Sequence, residues 1–323
     1  MKIYYLKKCF FAYNGEEAFL GGELLKQGKI QQSLSGFYDV ISDGELYRTR
    51  ARGNFRNKKV TPPLVGDEVE FQLDDNDQGY ILKVLPRKNE LTRPPIANID
   101  QAIVATAVVQ PSFSSNLLDR QLIALEISKI KPVIYFTKTD LLSAGELRYF
   151  QQLAEGYRRI GYQVILPETS FDEVSLTEVQ QILDGNETVI MGGQTGAGKS
   201  TLLNHIAPEL KLATGEISQA LNRGKHTTRK VSLLKIGNGL IADTPGFSSY
   251  DPFELQANEL AQYFPEFKRA SKFCRFRGCV HVNEPDCEVK KEVEEELIMH
   301  SRYENYLQLY MDIKNRKPIY NKK

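Results

Sequence analysis

The sequence contains Gly193-Gln194-Thr195-Gly196-Ala197-Gly198-Lys199-Ser200, which follows an apolar run at residues 188–191 and precedes Thr201-Leu202-Leu203-Asn204. This order predicts a strand, a phosphate-binding loop and the start of a helix, with Thr201 as the last nucleotide contact. Glycines leave the backbone N–H groups of the loop open to phosphate oxygens, and the helix N-terminus adds partial positive charge. Lys199 would reach the β- and γ-phosphates, and the Ser200 hydroxyl would bind Mg²⁺. A glycine turn that only joins two elements is the alternative.

A second motif, Thr137-Lys138-Thr139-Asp140, ends the apolar run at residues 132–136 and is the candidate for reading the base. The Asp140 carboxylate can accept hydrogen bonds from N1–H and the 2-amino group of guanine, which adenine cannot supply. The aliphatic stem of Lys138 would pack along the ring. This motif favours GTP over ATP, although a Lys and an Asp after a strand also occur in solvated turns.

Magnesium ligands are predicted downstream, where residues 241–246 read Ile-Ala-Asp-Thr-Pro-Gly and end another apolar strand. Asp243 would hold Mg²⁺ through water, and the Gly246 N–H would meet the γ-phosphate. The polar segment 222–229 has no apolar periodicity and is typical of a mobile switch loop. The other candidate magnesium ligands are hydroxyls of the phosphate loop and of this segment: Ser200 and either Thr227 or Thr228.

The order of these motifs along the chain is unusual, because the base-reading motif at residue 137 precedes the phosphate loop at residue 193. Ras-like GTPases have the opposite order. Both motifs belong on loops at the carboxyl ends of parallel strands, so the pocket survives if the chain is cut and rejoined elsewhere. The apolar run at 99–109, a helix that Ser115 or Asn116 can cap, and the run at 132–136 form a β-α-β succession. We therefore predict a circularly permuted P-loop GTPase domain with a doubly wound parallel sheet.

Ahead of this domain the pattern changes to short strands separated by turns, which suits a small β-barrel. The predicted strands cover residues 36–40, 45–52, 67–71 and 79–85. Cations concentrate on one of these strands and in the loop that follows it: Arg48, Arg50, Arg52, Arg56 and Lys58. These cations could contact RNA phosphates, and the alternative is that they form an ordinary solvated strand face.

Near the C-terminus lies the spacing Cys274-x₄-Cys279-x-His281-x₅-Cys287. Three thiols and one imidazole supply four ligands, which predicts a closed, structural Zn²⁺ site, with reduced core thiols beside an unrelated histidine as the alternative. Residues from 288 onward have apolar positions typical of an amphipathic helix. Cations flank the first two ligands and could contact phosphates: Arg269, Lys272, Arg275 and Arg277.

Over residues 28–310 the chain resembles the ribosome small subunit-dependent GTPases of the RsgA family. The resemblance rests on residues 118–120, 137–140, 193–200, 223–228 and 243–247 and on the Cys/His spacing. It implies that the barrel is an OB-fold, that the Cys/His set holds zinc, and that the cations bind RNA. Thr169-Ser170 stands where the family carries its second guanine-contacting motif, usually Ser-Ala, and Thr137 stands where N-K-x-D carries Asn.

The resemblance also implies a function, namely hydrolysis of GTP to GDP on the small (30S) ribosomal subunit during its late maturation, with 16S rRNA as partner. Ras-like enzymes orient the attacking water with a Gln after D-x-x-G, but Phe247 stands there. His226 resembles a histidine of the family and could orient this water, or it could only pack or contact the ribosome. The competing hypothesis is a free-standing nucleotide kinase or metabolic GTPase whose terminal domains serve a protein partner.

Composition sets outer limits on these expectations. The chain has 323 residues, of which 41% are hydrophobic and 26% charged, with a net charge of +1, so RNA affinity requires local basic patches. Four cysteines argue against a disulfide scaffold and for the reducing cytoplasm. We expect an extension at 1–27 that is neither signal peptide nor membrane span, an OB-fold at 28–90, the GTPase domain at 91–262 and a zinc-binding helical domain at 263–323. A monomer without membrane or DNA contacts is the simplest expectation.

Overall fold

A computed structural model describes residues 18–20, 23–56, 61–74, 78–92, 94–185, 187–208, 231–243 and 255–316. Their contacts divide them into two units. The first holds the described residues up to 90 together with 95–98 and 231–233, and the second holds 91–92, 94, 99–208 and the remainder. Among the described residues, no helix has the length and apolar character needed to cross a membrane.

The strands number fourteen within the described part of the chain. Their bounds are β1 Ala18–Leu20, β2 Glu23–Leu34, β3 Phe37–Ser42, β4 Glu45–Ala51, β5 Glu68–Leu73, β6 Gly79–Val84, β7 Glu90–Thr92, β8 Pro95–Ala97, β9 Gln101–Ala107, β10 Lys131–Thr137, β11 Gln163–Ile165, β12 Thr188–Gly192, β13 Ser232–Ile236 and β14 Gly239–Asp243.

Five strands of the first unit form a barrel in the order β2-β3-β4-β6-β5, which pairing between β2 and β5 closes. All pairs are antiparallel except β4 with β6. Ile30, Val40 and Phe71 are fully buried inside it. This closed five-stranded barrel confirms the fold that the resemblance implies for this region.

Strand β2 begins at Glu23, five residues before the start that the sequence predicts for the barrel. Its middle residue, Gly28, lies so close to β3 that a Cβ there would be 2.4 Å from the carbonyl oxygen of Ile41. Only glycine permits this approach, and it lets a twelve-residue strand pair with β3 and β5 at once. The strand was missed because Gly28 and the polar residues around it interrupt the alternating pattern.

The second unit contains five parallel strands in the order β11-β10-β9-β12-β14. Neighbours in this sheet are far apart in sequence, because β9 pairs with both β10 and β12. All seven residues of β10 except Lys131 are buried, as expected for a strand with helices on both faces. The predicted doubly wound parallel sheet is therefore confirmed.

Seven α-helices complete the described part of the second unit. Their bounds are α1 Ser115–Ile127, α2 Ala144–Ile160, α3 Glu173–Asp184, α4 Lys199–Ile206, α5 Pro265–Ala270, α6 Glu288–Glu294 and α7 His300–Lys314. Helix α1 is capped by Ser114, whose hydroxyl accepts from the Leu117 N–H, so the predicted caps Ser115 and Asn116 are wrong by one and two residues. Three adjacent cap-competent residues made this position ambiguous in the sequence.

The C-terminal segment forms two helices, α6 and α7, instead of the single amphipathic helix predicted from residue 288 onward. The chain turns between them because Glu296 adopts a left-handed conformation with φ of 57°. Leu297 follows this turn and is 59% exposed, although it continues the apolar spacing of the segment. Helix α1 contributes Ile123 to the core that α5, α6 and α7 share, so GTPase and C-terminal helices have a common interior.

A fully buried ionic network also joins these helices. Asp119 of α1 accepts hydrogen bonds from Arg302 Nη1 at 2.7 Å, from Asn305 Nδ2 at 2.6 Å and from the Tyr157 hydroxyl at 2.8 Å. Arg302 donates its remaining bonds to Glu266 of α5, at 2.7 and 3.1 Å. Burial disfavours the Arg302 charge, but Asp119 and Glu266 raise its pKa well above the usual value. The network therefore fixes α1, the helix that follows the edge of the predicted pocket.

Candidate nucleotide site and metal-ligand cluster

The phosphate loop connects β12 to α4, as its sequence predicts. Gly193 has φ of +124°, and a Cβ there would lie 2.1 Å from the carbonyl oxygen of Ala105 in the neighbouring strand. Gly198 has φ of +84° and forms the N-cap of α4 without a side-chain cap. The first N–H groups of α4 consequently have no side-chain acceptor at this cap and can bind an anion.

Lys199 is half-buried beneath this loop, and its Nζ donates to the carbonyl oxygens of Gly193 and Gln194, both at 2.8 Å. Burial lowers the pKa of Lys199. The carbonyl oxygens of the loop thus hold the Lys199 ammonium in position. Phosphate oxygens of a bound nucleotide could take the place of these carbonyls as its hydrogen-bond acceptors. The remaining predicted contacts lie along the loop and the first turn of α4: Thr195 and Gly196 are exposed, Ala197 is buried, and Ser200 and Thr201 are half-buried.

The end of β10 is fastened to this loop. Thr137 is buried, and its hydroxyl donates to the Ala197 carbonyl oxygen at 2.8 Å. Lys138 has φ of +65°, and its Nζ donates to the carbonyl oxygen of Gln110, in the loop that follows β9. The structure thus places the Thr137 hydroxyl against the phosphate loop, while Lys138 spans two loops at the carboxyl edge of the sheet.

The two segments predicted to read guanine also meet. The Ser170 hydroxyl donates to Oδ1 of Asp140 across a sequence separation of 30 residues, and both side chains are accessible. One carboxylate oxygen is thereby fixed, while Oδ2 of Asp140 stays available to a ligand. The predicted guanine reader therefore has a specific orientation, because the hydrogen bond restricts its rotation.

Asp172 holds the second segment that is predicted to contact guanine, and it was not identified from the sequence. Its Oδ2 accepts from the N–H groups of Glu168 and Thr169 at 2.8 and 3.4 Å, and its Oδ1 accepts from the Ser175 N–H at 2.8 Å as the N-cap of α3. The Thr169 N–H consequently faces Asp172. An Asp three residues before Ser175, at the start of a helical pattern, was the available signal.

Phe171 and His205 form a second connection that the sequence did not reveal. Phe171 has φ of 60°, and its ring stacks on that of His205 with centroids 4.6 Å apart and planes 18° apart. Since His205 lies at the end of α4, this contact joins the segment predicted to contact guanine to the helix that begins at residue 199. No local pattern relates these two positions, which are 34 residues apart in the sequence.

Replacing Asp172 with Ala should destabilise the protein by about 0.5–2 kcal/mol, the usual cost of losing a helix N-cap. Partial burial opposes ionisation, but hydrogen bonds from Ser175, Glu168 and Thr169 lower the pKa of Asp172 below its ordinary value of 3.8. A lowered folded-state pKa stabilises above the unfolded pKa and loses this effect as pH falls through the folded value. Urea unfolding at pH 7 and at pH 3, which is below the ordinary value of 3.8, should show the deficit shrinking at the lower pH, whereas Gln180→Ala in the same helix should show neither effect.

Only some of the residues predicted to bind magnesium or to act in hydrolysis are among those that the structure describes. Asp243 ends β14, directly after Ala242, which pairs with Ile190 of the strand that leads into the phosphate loop. Its backbone is therefore at the correct edge of the sheet. The predicted residues His226, Thr227, Thr228 and Gly246 lie outside the described residues.

The four predicted zinc ligands come together in a cluster whose donor atoms all lie within 4.8 Å of one another. Nδ1 of His281 is 3.3 Å from Sγ of Cys287 and 3.7 Å from Sγ of Cys274, and the two sulfurs are 4.0 Å apart. Burial raises the pKa of the Cys279 thiol to about 12 and lowers the pKa of His281. This donor set fits a soft divalent metal, because three thiols and one imidazole converge with no fifth protein ligand in the described cluster.

The predicted RNA-binding cations differ in their surroundings. The guanidinium groups of Arg48 and Arg50 lie 4.7 and 4.3 Å from the ring centroid of Phe37 on the exposed face of β4, and Arg52 contacts Gln72. In the second unit two of them have carboxylate partners, Arg269 with Glu292 at 2.5 Å and Arg275 with Asp286 at 2.6 Å. Lys272 and Arg277 are exposed, and the side chains of Arg56 and Lys58 lie outside the described residues.

Both the GTPase region and the N-terminal barrel match known protein families, and nearly the whole chain matches curated relatives. The family model described as "RsgA GTPase" matches residues 84–253, and the one described as "RsgA N-terminal domain" matches residues 27–81. The "Small ribosomal subunit biogenesis GTPase RsgA 1" of Lactiplantibacillus plantarum is 59% identical over 93% of this chain and 100% of its own. The "Small ribosomal subunit biogenesis GTPase RsgA" of Enterococcus faecalis is 54% identical over 92% and 98%.

Two solved structures are similar over nearly the whole chain. YloQ, a circularly permuted GTPase, has a TM-score of 0.77 and 41% identity, covering 92% of this chain and 97% of its own. YjeQ from Thermotoga maritima has a TM-score of 0.79 and 34% identity, covering 91% and 100%. With the parallel sheet and its motif order, these similarities confirm the predicted circular permutation.

Proposed function

The chain belongs to the RsgA GTPase family, and from this membership we propose that it binds the small (30S) ribosomal subunit and hydrolyses GTP in response to it. We further propose that it acts in late maturation of that subunit and that nucleotide state controls its association and release. The relatives at 59% and 54% identity carry names that state small-subunit biogenesis. RsgA proteins are GTP hydrolases, so the reaction itself follows from the family.

The observation that carries this proposal is the convergence of three sequence-distant segments at one edge of the sheet. Thr137 donates to the phosphate loop, Ser170 donates to Asp140, and Lys199 is held under the loop by two carbonyls. In this arrangement the segments that would bind guanine, beside Asp140, and the phosphates, at the start of α4, are already held together by hydrogen bonds. Preorganisation of this kind limits the entropy lost on binding.

We propose the following roles for the pocket residues. Backbone N–H groups of residues 193–201 bind the phosphates, and Lys199 exchanges its two carbonyl partners for β- and γ-phosphate oxygens. Oδ2 of Asp140 accepts from the guanine edge while Ser170 holds Oδ1, with Lys138 along the ring and Thr169 in the adjoining loop. Thr137 acts on the nucleotide through the phosphate loop. Mg²⁺ would be held by the Ser200 hydroxyl, by Asp243 through water, and by Thr227 or Thr228, and it would neutralise phosphate charge.

The proposal predicts slow GTP hydrolysis by the protein alone and a large increase with small subunits. Because Phe247 cannot orient water, we propose that the subunit orders the segment containing His226, which then holds the attacking water near the γ-phosphate. His226→Ala should lower the subunit-stimulated rate by about 10²-fold and change nucleotide affinity little. Phosphate release would be measured with GTP or ATP, alone and with small or large subunits.

The controls separate the parts of this proposal. Stimulation by both subunits, or by neither, would reject the small-subunit assignment and leave a permuted GTPase with another partner. Equal rates for His226→Ala and the unmodified chain, with and without subunits, would remove His226 from the mechanism. Turnover of ATP at a similar rate would contradict the proposed role of Asp140.

We propose that Cys274, Cys279, His281 and Cys287 hold one structural Zn²⁺. Cys274→Ser should abolish stoichiometric zinc and lower the melting temperature, because structural zinc contributes directly to folding. Metal analysis of the purified chain would measure the stoichiometry. Cys9→Ser provides the matched control and should retain one zinc, and a Cys274→Ser chain with full zinc content would contradict the assignment.

We also propose which surfaces contact RNA, how the chain divides into domains and where in the cell it acts. The barrel surface around Arg48, Arg50 and Arg52, with Arg56 and Lys58, would contact 16S rRNA, as would the second cationic set: Arg269, Lys272, Arg275 and Arg277. We propose the domain boundaries predicted above, except that the barrel begins with β2 at Glu23, and we assign no role to the residues before it. The protein would act as a monomer in the cytoplasm, where ribosomal subunits mature.

A further inference from the structure

Two phenylalanines beside the Cys/His cluster are exposed to solvent. Phe273 is 72% exposed and Phe276 is 44% exposed, and they flank the cluster residue Cys274. The guanidinium carbon of Arg275 lies 5.4 Å from the ring centroid of Phe276. Phe273, which has most of its side chain in solvent, gains little stability from packing against its own chain.

The segment that carries these rings is fixed at several points. The Cys274 N–H donates to the Ser271 carbonyl oxygen at 3.2 Å, and the Cys279 N–H donates to that of Phe276 at 3.3 Å. Two tyrosine hydroxyls of α7 donate to backbone carbonyls just beyond the segment, Tyr306 to Val280 at 2.6 Å and Tyr303 to His281 at 2.8 Å. The rings are therefore presented on a constrained loop, which lowers the entropic cost of stacking a flat ligand on them.

Cations lie on both sides of the rings in the sequence. Lys272 and Arg277 are exposed, and neither forms an ion pair with any residue that the structure describes. Arg275 is paired with Asp286 and also lies over Phe276. Exposed aromatic rings beside the exposed cations Lys272 and Arg277 are complementary to a strand that has both flat bases and phosphates.

We propose that Phe273 and Phe276 are a stacking surface for unpaired RNA bases, with Lys272 and Arg277 binding the adjacent phosphates. The inference rests on the proposed function, and it names the structural class of RNA that the C-terminal module recognises. Duplex RNA keeps its bases stacked inside the helix, and single strands and loops expose them, so the surface selects unpaired segments. Each stacked base contributes about 5- to 150-fold in affinity.

A direct test uses the absence of tryptophan from this chain. Phe276→Trp introduces one indole at the proposed surface, where it retains the ability to stack. Titration of the full-length variant with a twelve-nucleotide oligouridine should quench its fluorescence, and a duplex of equal length should not. Quenching that is equal for both, or absent while the oligonucleotide binds, would overturn the stacking role.

Alanine variants test the contribution to binding. Phe273→Ala with Phe276→Ala should weaken oligouridine binding at least about 10-fold, leaving the dependence of log K on log salt unchanged. Lys272→Ala with Arg277→Ala should reduce that salt slope by about 0.7 per lost phosphate contact. Leu297→Ala removes an apolar side chain of 59% exposure from the same part of the chain and should change neither quantity. Zinc content and circular dichroism would verify that each variant is folded.

Small subunits distinguish failure of this inference from failure of the proposed function. Loss of subunit affinity in the Phe273/Phe276 double variant, with GTP affinity retained, supports the surface. Unaltered subunit stimulation and oligouridine binding in that variant rejects the stacking role and keeps the GTPase assignment. Loss of subunit affinity without any loss of oligouridine binding would instead assign the rings to a ribosomal protein and overturn the RNA proposal.

Discussion

Asp140→Asn should weaken GTP binding by roughly 10²- to 10⁴-fold and improve binding of xanthosine triphosphate. The carboxylate presents only acceptors to N1–H and the 2-amino group of guanine, whereas the amide of Asn has one acceptor and one donor. The substitution removes a charge-assisted hydrogen bond and places the Asn NH₂ against an N–H donor of guanine. Together these two effects cost about 3–6 kcal/mol. Xanthine carries a carbonyl at position 2, which the Asn amide can donate to.

Titration with fluorescent guanosine and xanthosine nucleotides would measure this change of specificity. Glu155→Gln, at an exposed position of α2, is the matched charge-removal control and should leave both affinities unchanged. Ser170→Ala should cause a smaller loss, about 2- to 10-fold, because it frees the carboxylate and removes no contact to the base. Guanosine affinity within a factor of three of the unmodified chain in Asp140→Asn would show that another residue reads the base.

Arg302→Met should destabilise the protein by about 3–5 kcal/mol. It leaves Asp119 and Glu266 buried with no compensating cation, and uncompensated buried charge is the costly part of breaking such a network. For a unit of this size the melting temperature should fall by about 6–20 °C. Thermal unfolding followed by circular dichroism, with and without GDP, would measure the loss.

Arg120→Met is the matched control for this substitution. It also removes an arginine that joins α1 to α7, but its partner Asp312 is half-exposed, so the expected loss is below about 1 kcal/mol. Adding Asp119→Asn and Glu266→Gln to Arg302→Met should recover part of the stability, because the stranded charges are then removed. Equal losses for Arg302→Met and Arg120→Met would contradict the importance of burial.

The elements of the fold could be predicted from the sequence where their structure requires particular residue types at a fixed local spacing. The phosphate loop needs Gly193 and Gly198 in conformations that other residues rarely adopt, so the motif appears as glycines at fixed spacing. The strands β9, β10 and β12 are buried on both faces and therefore appear as continuous apolar runs. The circular permutation followed from the order of these patterns.

Features that depend on distant partners were not accessible. Asp119 was recognisable as part of a motif, but nothing local indicated that Arg302, 183 residues later, would bind it. The same holds for Thr137, whose hydroxyl is oriented by a carbonyl 60 residues away. Local errors had local causes: Gly28 interrupted the pattern of β2, and the turn at Glu296 divided a segment whose apolar spacing continued through it.

The network around Arg302 has a consequence for how the chain is made. Translation delivers Arg302 183 residues after Asp119, which at 5–20 residues per second is a delay of roughly 10–40 s. Until Arg302 is synthesised, the cation that compensates Asp119 in the folded chain is absent, so we expect burial of the charged Asp119 to be unfavourable. We therefore expect α1 to pack fully against its neighbours only after α7 has been synthesised. Chains that end before residue 302 should accordingly be less stable than the full chain.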